Sequence, residues 1–240
     1  MKYINRKINK MVSFLDNIFF LLLLIIILVD LRSTKSLRNL NNYNSEISLV
    51  IQGSGKQTFI DKIEPTEVLV NGISQGNICK KSCILEGGTN NITLIFKDKI
   101  KTGGYMFGFY NNITQIDLSK FDFSEITDMT AMFYCCTKLE KIIFGNINTS
   151  SVKSMRSTFN ACSKLKSIDL SNFDTSQVAT MFRIFFYCNN LEKIDFGNIN
   201  TSSVVDMEST FQGCTTLTSI DLSNFDTSKV TDMINMFYSC

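Results

Sequence analysis

Histidine is absent from the 240 residues, and neither sign of charge dominates, with 24 Lys and Arg against 22 Asp and Glu. Without imidazole the chain has no general base with a pKa near 7, no His-dependent triad and no His-containing zinc site. A net charge of +2 spread along the sequence leaves no basic footprint for nucleic acid. Proline occurs once, as Pro65. The remaining balance, 44% hydrophobic and 19% charged, is that of an ordinary globular chain. These absences point away from enzymes and nucleic-acid binders, and no cofactor or metal is expected.

One compositional signal lies at the N-terminus, where Lys2, Arg6, Lys7 and Lys10 precede an apolar run from Ile18 to Val29. That is the order of a signal's basic and hydrophobic regions. The run makes about 18 Å of helix against about 30 Å of hydrocarbon core, so alone it is short for a span. Its length fits a cleaved signal peptide. Asp30, Leu31, Arg32 and Ser33 offer no small-x-small cleavage site, however, and residues 12–29 together read as a membrane anchor. Signal peptide and signal-anchor both stay open for residues 1–31, with a buried helix as third reading. The first two place the remainder at the cell surface, outside the cell or in a lumen.

Residues 32–45 are polar and aperiodic, and read as a linker. Residues 46–100 hold short β-type runs at 47–51, 67–71 and 91–96, separated by Gly-Ser-Gly, Asn-Gly and Gly-Gly turn signals. This predicts a small β-rich domain. It contains Cys79 and Cys83, a candidate disulfide in an oxidising compartment.

From residue 111 onward a 26-residue period governs the chain. Methionine recurs at 129, 155, 181, 207 and 233, phenylalanine at 133, 159, 185, 211 and 237, and cysteine at 136, 162, 188, 214 and 240. Isoleucine does the same at 116, 142, 168, 194 and 220. Residues 111–240 are therefore five tandem repeats. Residues 101–110 form a degenerate capping half-repeat, since Phe107 and Tyr110 precede Phe133 and Cys136 by one period while Gly103 replaces the methionine. Repeats also alternate, and 33 of the 52 positions in 137–188 match 189–240, so the array grew by copying pairs.

Within the last repeat, Val230, Met233, Phe237 and Cys240 step by three, four and three, a spacing that predicts one face of an eleven-residue helix capped by Ser228 or Thr231. Ile220 and Leu222 flank Asp221 at strand period, and residues 224–228 form the turn between. The expected fold class is therefore α/β: a leucine-rich-repeat-like solenoid, one short parallel strand and one short helix per 26 residues, preceded by the β-rich domain.

The stretch LTSIDLSNFDTSKVTDMINMFYSC at 217–240 resembles the repeats of the BspA-like leucine-rich-repeat surface proteins, also described as Mycoplasma-type lipoprotein repeats. The resemblance covers 111–240 and holds in register five times. It implies surface or secreted proteins of adhesion and recognition, and no catalytic residues. The chain departs from the motif at Phe123, Ile143, Asn148 and Asn200.

Asp117, Asp169, Asp195 and Asp221 fall at outward strand positions, preceded by Lys141 and Lys193 in repeats 2 and 4. Stacked at about 4.8 Å per step, they make a carboxylate column that is solvated, lysine-paired or occupied by a cation. Together these six residues are the candidate ligand face. Cys136, Cys162, Cys188, Cys214 and Cys240 read first as a buried thiol ladder, with inter-repeat disulfides or metal as alternatives. Asn146, Asn172, Asn198 and Asn224 stack at the turn. Asn91, Asn112, Asn148 and Asn200 open N-x-S/T sequons, Asn91 and Asn112 being the better glycosylation candidates.

The expected function is a non-enzymatic surface or secreted recognition module that binds protein or glycan through its strand face, with contact to a membrane through residues 12–29. The alternative is a structural or self-assembling scaffold with end-to-end contact at the uncapped C-terminal repeat.

Overall fold

Alternation of apolar and polar residues at 45–52 and 89–96 dictates strands with one buried face, and the computed structural model, which describes residues 45–240, forms them there. Strands β1 (Ser45–Gln52), β2 (Gly55–Thr58), β3 (Glu67–Val70), β4 (Ile73–Ser74), β5 (Ser82–Leu85) and β6 (Thr89–Phe96) precede the repeats. β7 (Ile113–Lys120), β8 (Lys141–Ile143), β9 (Ser167–Asp169) and β10 (Lys193–Asp195) begin repeats 1 to 4. β1 lies between β6 and β7, antiparallel to both, in a mixed sheet of order β4-β3-β6-β1-β7-β8. Repeat 1 thereby continues the sheet of the β-rich segment. The parallel pairs β7–β8 and β9–β10 align residues 26 apart, such as Ile116 with Ile142 and Ile168 with Ile194. The leader and the membrane-contact segment proposed for 1–31, and the linker up to residue 44, lie outside the described residues.

The α/β leucine-rich-repeat-like solenoid is overturned: among the described residues there is no helix, and the strands belong to mixed and two-stranded sheets. The segments expected to be helical are chains of tight turns. Ala131 and Cys135 have φ of 54° and 56°, and the same left-handed backbone recurs at Ser157 and Ala161, Arg183 and Tyr187, Ser209 and Gly213, and Asn235 and Ser239. An α-helix admits no such residues. N–H groups alternate in destination: those of Met132, Tyr134 and Cys136 turn back to Met129, Ala131 and Phe133. Those of Ala131, Phe133 and Cys135 donate to Arg156, Thr158 and Asn160 of the next repeat at 2.8, 2.9 and 2.8 Å. In the last repeat, Ser228 and Thr231 cap no helix, and Ile220 and Leu222 flank no strand.

Spacing explains the choice. Phe107, Phe133, Phe159, Phe185, Phe211 and Phe237 stack nearly parallel, with successive centroids 5.3 to 5.9 Å apart. Side-by-side α-helices need about 8–10 Å between axes, whereas strand-like backbones sit at about 4.8 Å. Repeats so close together admit hydrogen-bonded turns and exclude packed helices. Four-residue steps between left-handed positions, as from Ala131 to Cys135, still send Met129, Phe133 and Cys136 inward, so the buried spacing imitates a helical face.

Buried threonines lock the corners. Thr149, Thr175 and Thr201 each donate from Oγ1 to the carbonyl 25 residues ahead (Asp174, Asn200, Asp226) and accept from the N–H of that same residue. Repeat 1 holds Phe123 there, buried against Phe121 at 5.0 Å between ring centroids.

Candidate functional site

Outward side chains of the strands share one face, where Gln115 and Asp117 lie beside Lys141 and Ile143, and Ser167 and Asp169 beside Lys193 and Asp195. Three open recesses mark it. One of about 300 Å³ lies over β1, β6 and β7 and includes Asn91, Asp117 and Ile143. A second of about 330 Å³ is lined by Ile143, Phe144, Gly145, Asp169 and Asn172, and a third of about 370 Å³ by Asp195, Phe196, Gly197, Asp221 and Asn224. The latter two are one site repeated after 52 residues, with Ile143 exchanged for Asp195.

A glycine lines each of these two recesses. Gly145 and Gly197 have φ of +63° and +51°, and a Cβ on either would fall 2.7 Å from Ser119 or Ser171. Backbone therefore presses against the preceding repeat. Asn172 and Asn224 reach back from the following repeat, donating from Nδ2 to the carbonyls of Gly145 and Gly197 at 3.2 and 3.1 Å.

The four aspartates of the column have a structural role as well. Oδ1 of Asp117, Asp169 and Asp221 accepts from the N–H of Ser119, Ser171 and Ser223, each at 2.9 Å, and Asp195 accepts from Gly197 at 3.1 Å. Hydrogen bonds from Ser171 hold the Asp169 carboxyl below its ordinary pKa, with Lys193 adding a smaller pull. Bonds from Ser223 do the same for Asp221. One oxygen of each is thus spent on its own turn. Lys141 and Lys193 are exposed, and neither forms an ion pair among the described residues.

The ladder cysteines run through the core. Cys136, Cys162, Cys188 and Cys214 are free and buried, while Cys240 is free and exposed. Each Sγ donates to the carbonyl of a phenylalanine 29 residues earlier, from Cys136 to Phe107 at 2.9 Å through Cys240 to Phe211 at 3.0 Å. Desolvation pushes the Cys136 and Cys214 thiols up to about 12 and those of Cys162 and Cys188 well above their ordinary value, so they stay protonated and unreactive. Cys79 and Cys83 form a disulfide with Cα atoms 5.0 Å apart. No group of three or more potential ligands among the described residues could hold a metal ion.

Sequon asparagines differ in access. Asn91 is exposed on β6, but Asn112 donates its Nδ2 to Gln57 Oε1 and to the Thr58 carbonyl, at 3.0 and 3.1 Å. A glycan on Asn112 would replace one of its two Nδ2 hydrogens and so break at least one of these bonds. Asn148 and Asn200 are exposed corner residues whose Oδ1 accepts from Ser150 and Ser202. A further group escaped the strand-centred reading: Arg156, Phe182, Arg183 and Tyr187 on the turn segments. The signal for them was variation, since they occupy positions where the repeats differ most.

Residues 103–198 and 169–240 match the family model described as "Mycoplasma protein of unknown function, DUF285". No curated protein and no solved structure matches the chain.

Proposed function

The chain belongs to the DUF285 family, and from that premise we propose that it is a non-enzymatic recognition module, secreted or held at the cell surface, that binds protein or glycan through its strand face. The observation carrying this reading is the recess repeated after 52 residues, at Gly145 and again at Gly197, with charged and amide groups on its rim. Repeated shallow sites suit an extended ligand, because two weak contacts on one rigid support act together as a stronger one. Resemblance of the repeat to BspA-like surface proteins and the basic-then-apolar N-terminus support an exterior location.

Full-length chain applied to a glycan array and a protein array tests the proposal. Bound ligands should lose about tenfold or more in affinity when Asp195→Asn, Asp221→Asn and Lys193→Glu are combined. Asparagine keeps the turn acceptor, as Asn148 and Asn200 show at the neighbouring corner, so a loss reports on recognition rather than folding. Ligands that bind this variant at full strength would sink the strand-face reading.

A further inference from the structure

Repeats that share their cores must differ somewhere to be specific, and four positions of the turn segments are where they differ most. Reading repeats 1 to 4 in order, one position holds Thr130, Arg156, Phe182 and Glu208, and the next Ala131, Ser157, Arg183 and Ser209. Two others hold Tyr134, Asn160, Phe186 and Gln212, and Cys135, Ala161, Tyr187 and Gly213. Repeat 3 is the exception among them: all four of its positions are aromatic or cationic. Core packing does not demand this, because repeats 1 and 2 hold one aromatic or cationic residue each at these positions, Tyr134 and Arg156, and repeat 4 holds none.

Geometry turns these residues into a built surface. The guanidinium of Arg156 lies 3.7 Å above the centroid of the Phe182 ring, and that of Arg183 lies 4.6 Å from Phe182 and 4.9 Å from Phe186. Arg183 already has a carboxylate, Glu208, at 3.5 Å. Arg156 is exposed and has no ion-pair partner among the described residues. Its planar fork is thus held by stacking with its N–H edge open, the arrangement that takes a carboxylate through two parallel bonds. Along the same segment, past Arg183 and Phe186, Tyr187 is 48% exposed, although its ring packs edge-on against Phe186 at 4.4 Å. A Cβ at Gly213 would fall 2.5 Å from the Tyr187 ring, so the absence of a side chain there is what seats the tyrosine. Tyr105 and Phe109, 44% and 59% exposed, extend the aromatic surface across Tyr134 into the half-repeat.

We infer that this turn face, centred on repeat 3, docks an acidic peptide segment of a partner protein, with Arg156 taking a carboxylate and Tyr187 an apolar or aromatic side chain. Arginine and tyrosine held rigid in one cluster are the side chains that dominate protein interfaces, and an unpaired arginine beside an arginine already paired to Glu208 selects for negative charge. The face is separate from the strand recesses, so the inference stands or falls without them.

A random copolymer of glutamate and tyrosine, titrated into the full-length chain, supplies both chemistries. Saturable binding is expected, weakened about tenfold by Arg156→Ala and by Tyr187→Ala. Arg156→Lys should also weaken it, because lysine keeps the charge and loses the stacked fork. Both side chains reach solvent, and circular dichroism of each variant should match the parent. The inference is overturned by any of three results: no saturable binding of the copolymer, equal binding of a lysine and tyrosine copolymer, or unchanged affinity in both alanine variants. Binding of heparin through Arg156 in place of the copolymer would also overturn it, in favour of an anionic glycan.

Discussion

The thiol of Cys162 donates to the carbonyl of Phe133 across 3.1 Å, joining one repeat to the repeat before it. The same bond recurs along the array, so the ladder cysteines act as small apolar side chains with one weak donor aimed at the preceding turn. Cys162→Ala and Cys188→Ala should each cost roughly 1–3 kcal/mol in denaturant unfolding, from the lost bond and the vacated volume. In the native state a thiol reagent at pH 8 should modify Cys240 and, more slowly, Cys135, while the four buried thiols react only on unfolding. Rapid native labelling of Cys162 would contradict the ladder.

A sign separates turn from helix. Ala161 has φ of 57°, and the equivalent residue one period from Tyr187 is Gly213, with φ of 78°. Ala161→Gly should be neutral or stabilising by up to about 1 kcal/mol, since glycine adopts this backbone without steric cost. In a helix the same change would cost about 1 kcal/mol. Thermal or denaturant melts of the single variant read the sign directly.

Gly197→Ala should be destabilising by roughly 1–3 kcal/mol, because the backbone is left-handed there and the new methyl meets Ser171. Gly145→Ala should act the same way against Ser119, and paired stability losses of similar size would confirm the equivalence of the two turns.

Acid should weaken the corners selectively. Asp122, Asp174 and Asp226 have carboxyls held below the ordinary value of 3.8 by hydrogen bonds from Ser124, Ser176 and Ser228. A depressed folded pKa contributes stability that is complete above about 3.8 and lost as pH falls through the folded value. Repeats 2 and 4 carry Asn148 and Asn200 at this corner and keep the serine N–H bond. Changing all three aspartates to asparagine should therefore flatten the loss of stability below pH 4, measured by denaturant unfolding at stepped pH. An unchanged slope would show that these carboxylates do not govern acid unfolding.

The repeat, its register and its core are legible without any structure. Period and apolar character together identify Phe133, Phe159, Phe185 and Cys162 as buried, because an apolar residue that recurs at fixed distance through five copies meets its own copy and the two exclude water. The strand aspartates are legible as outward residues too, although their bonds to Ser119, Ser171 and Ser223 are not, since they depend on the chain bending after each strand.

Sequence by itself determined which residues stack and which face water, since hydrophobic burial follows composition and period. Tertiary structure decided the backbone between them. A spacing of three and four serves a helix and a chain of left-handed turns alike, and the local pattern has no term for the distance to the neighbouring repeat. Phenylalanine rings packed 5.3 to 5.9 Å apart set that distance, too short for helices side by side, and so gave half of the N–H groups to the next repeat. The same turns carry Arg156 and Tyr187 outward into one cluster, which 26-residue spacing could suggest and only the folded chain could assemble.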